Sequence, residues 1–396
     1  MSRVSEPIRA LMLNYEFPPV GGGTGAACQQ LLEALAGRSP VHVELVTSGP
    51  GDRPSVEHAA SGATIHRLPV GKRDPHFWRP AELLRWTWRA HRLAKRLIRS
   101  EQLDVCHCWA GWPPGVLGYR FRGSLPYLVS LRGSDVPGYS ERLAAWDPLI
   151  FRRLSRRVWR GAGAVVSVSD SLRALALQTC PDLDIRVIPN AADTVRFTPG
   201  SSPAEPYTVL FVGRLIPRKR VEDLLTAFRD VLERIPSARL VIAGDGPEAS
   251  RLDRLAGTLG LGEAVRFEGQ VQREALPDLY RRASVFVLPS EREGMPNAQL
   301  EAMASGLPVV TTVAPHGLVD GNGVAVAVGH ASEIAGALIR YGLDAELRRA
   351  HGRRSRELAE VTSWSVVAEW YLGIYRSLKR ANSRTSMGDS GTRATR

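Results

Sequence analysis

Two acidic residues, Glu293 and Glu301, stand eight positions apart around a predicted junction between a loop and a helix. The loop contains Gly294, Met295 and Pro296, and the helix follows directly. A glycine-bearing loop that leads into a helix offers unpaired backbone N–H groups to an anion, and ionised carboxylates accept hydroxyl hydrogen bonds in fixed directions. These residues predict a site for a phosphate or polyhydroxyl ligand. The alternative is a solvated loop charge and an ordinary charge on a helix face.

Two basic residues, Arg214 and Lys219, share one predicted loop between a buried strand and a helix. Two fixed cations beside a helix N-terminus can neutralise a diphosphate. Without further support, an arginine and a lysine at such a spacing more often belong to an ordinary charged loop. A Gly-Asp-Gly-Pro turn follows the next strand. Its glycines, Gly244 and Gly246, allow close approach of the backbone to a ligand, or simply form a tight corner.

A glycine-rich turn with Gly22 and Gly23 separates the first predicted strand from the first helix. Doubly wound folds bind phosphate at this position. The turn does not match a dinucleotide-binding fingerprint, because two prolines precede the glycines and no acidic residue ends the second strand. Contact with a phosphate and a plain flexible turn are both compatible with this stretch.

Three further candidates, His107, Arg132 and Asp135, lie at the ends of predicted strands in the first half. Ligands of open parallel sheets bind beyond the carboxyl ends of the strands. Arg132 stays protonated at any workable pH and cannot be a general base, but its planar guanidinium can hold a phosphate or a sugar oxygen. We therefore expect Arg132 to act electrostatically or by positioning, with Asp135 beside it.

Apolar, β-branched runs alternate with helical stretches, which predicts parallel sheets with helices on both faces. The predicted strands are residues 8–13, 41–47, 64–68, 104–108, 127–131, 164–168, 209–212, 239–243, 284–288, 308–311 and 324–328. A chain of 396 residues is too long for one ordinary core, and a proline-rich stretch over 198–206 has linker composition. We predict an α/β fold of two doubly wound domains, residues 1–200 and 201–360, then a helix over 361–379 and a disordered tail over 380–396.

The net charge of +12 is concentrated in the first half, where 26 basic residues stand against 17 acidic ones. The segment of residues 72–100, which begins with Lys72 and ends with Ser100, has nine basic residues. Its aromatic side chains are Phe77, Trp78, Trp86 and Trp88. Such a segment is typical of a surface that binds anionic lipid headgroups; the alternative is a solvated helix whose tryptophans pack inward. Nucleic acid is not an expected partner, because the sequence contains no recognisable nucleic-acid-binding module.

The four cysteines do not have the spacing of a zinc site, and we expect neither a disulfide nor a structural metal. The sequence has no apolar run long enough to span a bilayer and no signal-peptide pattern at its start. We expect a cytoplasmic location, extended by the lipid-binding hypothesis to the inner face of the cell membrane.

Three separated stretches together resemble one family. They are Phe17-Pro-Pro-Val-Gly-Gly-Gly23, Gly213-Arg-Leu-Ile-Pro-Arg-Lys-Arg220 and Ser290-x-x-Glu-Gly-x-Pro-x4-Glu-Ala-Met-Ala-x-Gly-x-Pro-Val-Val310. The last resembles the donor-site signature of glycosyltransferase family four, the group 1 glycosyltransferases. This resemblance extends over residues 8–378 and implies the GT-B fold, in which two Rossmann-like domains face across a cleft and a final helix crosses back to the first domain.

The resemblance implies retaining transfer of a sugar from a UDP- or GDP-linked donor to an acceptor hydroxyl, with no cofactor and no metal ion. Glu301 would hold the ribose and Glu293 the sugar ring, and Arg214 and Lys219 would meet the charge of the diphosphate. The donor-binding set implied by the family is Gly22, Gly23, Arg214, Lys219, Gly244, Gly246, Glu293, Gly294, Met295, Pro296 and Glu301. The acceptor-side candidates are His107, Arg132 and Asp135.

Two residues depart from the family's pattern. Arg132 stands where many members have a histidine that lies against the transferred sugar or the acceptor, so its role differs from theirs. Arg220 replaces the glycine that ends the Gly-Arg-Leu stretch, which affects the local backbone. The cationic segment favours a lipid-linked or cell-surface glycan as acceptor.

Two other functions stay open at the level of sequence. A nucleotide-sugar epimerase of the same two-domain shape would need no acceptor. A basic non-catalytic module that binds membrane or nucleic acid would not depend on Arg214 or Glu293, but would depend on the segment of residues 72–100.

Overall fold

The computed structural model describes residues 7–36, 41–74, 78–139, 150–201, 206–312 and 318–391. The chain divides into two compact units, Met1–Asn190 with Trp364–Arg396, and Ala191–Ser363. The boundary lies before the proline-rich stretch, of which residues 202–205 fall outside the described ranges. The reason is packing, since Ala192 and Phe197 are already buried in the core of the second unit.

The first unit contains an eight-stranded sheet. Its strands are β1 (Ile8–Leu13), β2 (Val41–Gly49), β3 (Ser55–His58), β4 (Thr64–Pro69), β5 (Val105–Cys108), β6 (Tyr127–Leu131), β7 (Ala164–Ser167) and β8 (Ile185–Val187). They lie in the order β3-β4-β2-β1-β5-β6-β7-β8, with β3 antiparallel to β4 and the other pairs parallel. Every residue of β5 and β6 is buried, as expected for parallel strands covered on both faces.

Helices connect these strands. They are α1 (Gly23–Ala36), α2 (Pro80–Ser100), α3 (Pro114–Phe121), α4 (Arg152–Arg160) and α5 (Asp170–Leu177). α2 begins with a proline, and the carboxylate of Glu82 accepts a hydrogen bond from the backbone N–H of Arg79 at 3.0 Å. Both features are typical helix starts, because the first turn has no internal acceptors for its N–H groups.

The second unit has a six-stranded parallel sheet. Its strands are β9 (Thr208–Val212), β10 (Arg239–Ala243), β11 (Val265–Gly269), β12 (Val285–Leu288), β13 (Val309–Thr311) and β14 (Gly323–Ala325), in the order β11-β10-β9-β12-β13-β14. Its helices are α6 (Val221–Arg234), α7 (Ala249–Thr258), α8 (Leu276–Arg281), α9 (Asn297–Ala304), α10 (Ala331–Leu343) and α11 (Ala345–Val361). The predicted α/β fold with two doubly wound parallel sheets is confirmed.

The final helix, α12 (Trp364–Gly391), belongs to the first unit and packs against α1. It buries one apolar face, whose residues recur at spacings of three and four, namely Trp364, Val367, Tyr371, Ile374, Tyr375 and Leu378. The helix continues past residue 379 into the predicted disordered tail, a stretch that contains no proline to stop it. Residues 392–396 lie outside the described ranges.

Within the part of the chain that the structure describes, none of the helices combines the length and the apolar character that crossing a membrane requires.

Candidate functional site

The second unit reverses its strand order between β9 and β12. β10 and β11 lie on one side of β9, and β12, β13 and β14 lie on the other. Doubly wound sheets bind ligands at such a reversal, beyond the carboxyl ends of the two strands, because the loops there diverge and leave a crevice. The loop after β9 carries Arg214 and Lys219, and the loop after β12 carries Glu293.

An ion pair joins these two loops. Lys219 Nζ lies 2.6 Å from Glu293 Oε1, and the two side chains are only 14% and 11% exposed. The backbone N–H of Glu291 also donates to the carbonyl of Arg218 at 2.9 Å. Arg214 is exposed on the same loop as Lys219. The family resemblance assigns Lys219 to the diphosphate and Glu293 to the sugar ring, and in the structure these two side chains are direct partners.

Arg220 shows why glycine suits the end of this loop. Its φ of 49° and ψ of 42° are left-handed, a conformation that costs a side-chain-bearing residue about 1 kcal/mol. Ion pairs offset that cost, because Arg220 Nε lies 2.6 Å from Asp223 Oδ2 and its NH1 lies 3.3 Å from Glu291 Oε1. The arginine therefore keeps the backbone turn that starts α6 and ties it to the loop after β12.

Gly244 and Gly246 support the loop after β9. A Cβ atom on Gly244 would lie 1.8 Å from the carbonyl oxygen of Gly213, and one on Gly246 would lie 2.3 Å from that of Leu215. The backbone N–H of Leu215 donates to the carbonyl of Asp245 at 2.9 Å. The close approach that the sequence predicts is thus made to this loop, which carries Arg214.

Glu301 lies on α9, and Tyr280 of α8 donates to its Oε2 at 3.0 Å. Burial raises the pKa of Glu301 to about 7, despite the opposing effects of the Tyr280 hydroxyl and of Arg273 and Arg196. A carboxylate in this setting can accept hydroxyl hydrogen bonds when ionised. The sequence did not indicate Tyr280, because it lies on another helix with no fixed spacing from Glu301.

The loop before α9 is well packed. Gly294 and Pro296 are buried, and Met295 packs against the core of the second unit. The carbonyl of Pro296 accepts from the backbone N–H groups of Gln299 and Leu300 at 3.1 and 3.2 Å. These contacts fix the direction in which α9 presents its N-terminus.

In the first unit, the glycine turn leads into α1, which begins at Gly23. A Cβ on Gly22 would meet nothing within 4 Å, so this residue faces open space. The backbone N–H of Gly22 donates to the carboxylate of Glu16 at 3.2 Å. A carboxylate from the chain itself thus bonds to an amide that the family resemblance assigns to the donor diphosphate.

Arg132 leaves the carboxyl end of β6 and is held by several partners. Its NH1 donates to Asn190 Oδ1 at 2.7 Å, its NH2 donates to the hydroxyl of Tyr371 at 3.3 Å, and its Cζ lies 4.0 Å from the ring centre of Trp109. The sequence did not indicate Tyr371 as a partner of Arg132, because the two residues are 239 positions apart. The guanidinium is half-buried and fixed in direction.

His107 and Asp135 have internal partners in place of the predicted acceptor contact. His107 is completely buried, with both ring nitrogens 2.7 Å from hydroxyls, and burial holds its pKa well below the usual value. Asp135 is 4% exposed and accepts from the backbone N–H groups of Gly111, Arg132 and Gly133. Its carboxylate orders the turn after β6, and burial raises its pKa. The polar atoms of both side chains are hydrogen-bonded within the first unit.

The cationic segment is partly turned inward. Lys72 pairs with Glu82 at 3.0 Å, with both side chains almost fully buried, and Trp86 is completely buried. Trp88 and Leu84, by contrast, are 58% and 71% exposed on α2. Phe77 lies outside the described residues. The exposed cations of this helix are Arg85, Arg92, Lys95, Arg96 and Arg99.

The four cysteines are free thiols, and each of them is buried. Among the described residues, the side chains of histidine, cysteine, aspartate and glutamate form no group that could hold a metal ion.

Comparison with known proteins adds to this geometry. Residues 196–358 match the family model of the glycosyl transferases group 1, and residues 21–196 match that of Glycosyltransferase Family 4. The chain is 30% identical to a glycogen synthase of Mycobacterium tuberculosis over 412 residues, which cover 94% of this chain and 95% of the synthase.

Two further similarities span most of the chain. One is to the GDP-mannose-dependent alpha-(1-6)-phosphatidylinositol monomannoside mannosyltransferase of Mycolicibacterium smegmatis, at 30% identity over 339 residues that cover 78% of this chain and 83% of that protein. The other is to the solved structure of sucrose-phosphate synthase from Thermosynechococcus elongatus, with a TM-score of 0.80 and 25% identity, covering 94% of this chain and all (100%) of that one.

Proposed function

The chain belongs to glycosyltransferase family four, the group 1 glycosyltransferases, and has the GT-B fold; from this membership we propose that it transfers a sugar from a UDP- or GDP-linked donor to an acceptor hydroxyl with retention of configuration. The reaction uses no cofactor and no bound metal ion. The observation that carries the proposal is the ion pair between Lys219 and Glu293 at the strand reversal of the second unit. An ammonium group that can bind a phosphate lies there beside a carboxylate that can accept hydrogen bonds from sugar hydroxyls.

The proposed chemistry begins at the bond between the anomeric carbon and the diphosphate. As this bond breaks, negative charge grows on the departing diphosphate, and Arg214 and Lys219 stabilise it in the role that a divalent cation has in other enzymes. The acceptor oxygen forms the new bond to the anomeric carbon, and its proton goes to the departing diphosphate. A nucleoside diphosphate leaves readily, so no side chain has to protonate it.

The two carboxylates take the hydroxyl groups of the donor. Glu301 is held by Tyr280 and takes the ribose, and Glu293 is held by Lys219 and takes the sugar ring. Because each carboxylate already has one protein partner, its direction is set before the donor arrives, which lowers the entropy cost of binding. The name of the similar mannosyltransferase supports a GDP-linked donor among those to be tested.

The direct test is an assay with UDP-glucose or GDP-mannose as donor and glycogen or phosphatidylinositol monomannoside as acceptor. We expect release of nucleoside diphosphate, a product that keeps the anomeric configuration of the donor, and unchanged turnover in EDTA. Arg214→Ala should abolish turnover, whereas Arg229→Ala, a control at a half-exposed arginine on α6, should not. An inverted product would contradict the retaining mechanism, and loss of turnover in EDTA would contradict metal independence.

A nucleotide-sugar epimerase is the alternative enzyme. It predicts that the donor alone, incubated with the protein, yields an isomerised nucleotide sugar without any glycoside. Chromatography of the nucleotide sugars after such an incubation separates the two activities.

For the acceptor, we propose a lipid-linked or cell-surface glycan and peripheral attachment to the cytoplasmic face of an anionic membrane through α2. The exposed Trp88 and Leu84 lie on the same helix as five exposed cations, and the acidic residue of α2, Glu82, is buried against Lys72. Exposed aromatic and aliphatic side chains beside a cationic surface suit the interface of an anionic bilayer.

Sedimentation with vesicles tests this attachment. Wild type should bind vesicles that contain phosphatidylglycerol more strongly than vesicles of phosphatidylcholine alone, and Trp88→Ala with Arg92→Glu should lose that difference. Trp370→Ala is the matched control, because Trp370 is an exposed tryptophan of α12. Equal binding to both vesicles would contradict the attachment. Full function in Arg214→Ala and Glu293→Ala variants would instead favour a non-catalytic basic module.

A further inference from the structure

A chain of hydrogen bonds connects the buried interior of the first unit with Arg132. The Nδ1 and Nε2 atoms of His107 each lie 2.7 Å from a hydroxyl, that of Tyr375 and that of Ser130 respectively. The Ser130 Oγ lies 3.2 Å from the hydroxyl of Tyr371, which also accepts from Arg132 NH2 at 3.3 Å. Arg132, at the end of this chain of hydrogen bonds, directly follows the carboxyl end of β6.

The guanidinium of Arg132 is held on several sides. Asn190 accepts from NH1, the hydroxyl of Tyr371 accepts from NH2, and the indole of Trp109 lies under the plane of the group. A free arginine side chain loses about 2 kcal/mol of rotamer entropy when a ligand fixes it. These contacts fix it in advance.

Tyr371 and Tyr375 form a natural comparison within α12. They lie one helical turn apart, both are buried, and the centroids of both rings lie within 6 Å of that of His107, at 5.0 and 5.8 Å. Their hydroxyls have different partners, since that of Tyr371 contacts Ser130 and Arg132 and that of Tyr375 contacts His107.

We propose that Tyr371 is a positioning residue for the acceptor. From the final helix, its hydroxyl directs the guanidinium of Arg132 towards an oxygen of the acceptor, which is a hydroxyl or phosphate oxygen because the guanidinium has only donors to offer. This inference rests on the proposed function, and it extends that function to a residue on α12 that does not itself contact substrate.

The test compares Tyr371→Phe with Tyr375→Phe on the acceptor that wild type uses in the assay with UDP-glucose or GDP-mannose. Both variants lose one buried hydroxyl, so we expect similar decreases in Tm. Tyr371→Phe should raise the KM for the acceptor about tenfold, the effect of one hydrogen bond to a charged group, and leave the KM for the donor and donor hydrolysis by water unchanged. Tyr375→Phe should leave all three kinetic quantities near wild type.

A double-mutant cycle separates positioning from general destabilisation. Arg132→Lys removes the planar fork, so adding Tyr371→Phe to it should cause no further increase in the acceptor KM. Equal acceptor KM values for Tyr371→Phe and Tyr375→Phe, or additive effects in the cycle, would overturn the inference while the proposed function stands. Absence of sugar transfer by wild type would remove both.

Discussion

Glu301 is a candidate-site carboxyl whose environment alters its acidity. Its pKa is raised to about 7 by burial, whereas a glutamate carboxyl of an unfolded chain has a pKa of about 4.3. Between these two values the folded state keeps a proton that the unfolded state has released. Stability therefore falls as the pH rises through this window, by about 4 kcal/mol in total, and this contribution is constant above pH 7.

Glu301→Gln should remove that pH dependence. We expect the Tm of the variant to exceed that of wild type by an increasing amount between about pH 4 and pH 7, because the amide carries no charge to bury. Donor affinity should fall at the same time, since an amide has one acceptor oxygen in place of two. A Tm difference that is the same at every pH would contradict the raised pKa.

Lys219 and Glu293 allow a second test in which stability and activity separate. Lys219→Met leaves the poorly exposed Glu293 carboxylate without its ammonium partner and should cost about 2 kcal/mol of unfolding free energy. Adding Glu293→Gln removes the stranded charge and should restore most of that stability. Turnover should remain at least a hundredfold below wild type in both variants, because the diphosphate has lost a cation. Recovery of activity in the double variant would contradict the catalytic role of the pair.

The sequence predicted some of these residues for a physical reason. Arg214, Lys219 and Glu293 follow buried strands, and the carboxyl ends of parallel strands meet at one edge, so strand and loop positions alone bring them near each other. The direct pairing of Lys219 with Glu293 was not predictable, because side-chain direction within a loop has no sequence period. The environment of His107 was not predictable either, since its place at the end of a strand does not reveal that two hydroxyls and a helix enclose it.

At the level of elements, the turn after β10 supports the loop after β9. Gly244→Ala would place a Cβ 1.8 Å from the carbonyl oxygen of Gly213, so the loop that carries Arg214 has to move. We expect a lower Tm and at least tenfold weaker binding of UDP or GDP, measured by calorimetry. Gly257→Ala on α7 is the matched control, because a Cβ there meets nothing within 4 Å, and it should stabilise the protein by up to about 1 kcal/mol. Unchanged nucleotide binding by Gly244→Ala would contradict this role.

The presence of helices and strands was more predictable than the residues at which segments of the fold begin and end. Buried β-branched runs gave most strands of the two sheets, because parallel strands covered on both faces need apolar residues throughout. The edge strands β3, β8 and β11 are less buried, lack that pattern and were not predicted. The start of the second unit at Ala191 was not predictable, because linker composition says nothing about the packing of Ala192 and Phe197.

For the whole molecule, the chain returns to its first unit through α12, which supplies eight buried hydrophobic residues there within residues 364–383, the part of the helix whose side chains the structure describes. They are Trp364, Val367, Ala368, Tyr371, Leu372, Ile374, Tyr375 and Leu378. A chain ending at Ser363 should therefore lose the cooperative unfolding of the first unit, as followed by circular dichroism and limited proteolysis. A chain ending at Ser383 keeps all eight and should unfold like the full chain. Normal folding of the shorter chain would contradict this assignment.

We propose above all that the strand reversal of the second unit binds the nucleotide diphosphate of a sugar donor. A crystal structure of the protein with UDP-glucose or GDP-mannose would show where the nucleotide lies. We expect the diphosphate within hydrogen-bond distance of Arg214 and Lys219, the ribose at Glu301 and the sugar ring at Glu293. A nucleotide bound elsewhere, with these four side chains directed into solvent, would contradict it.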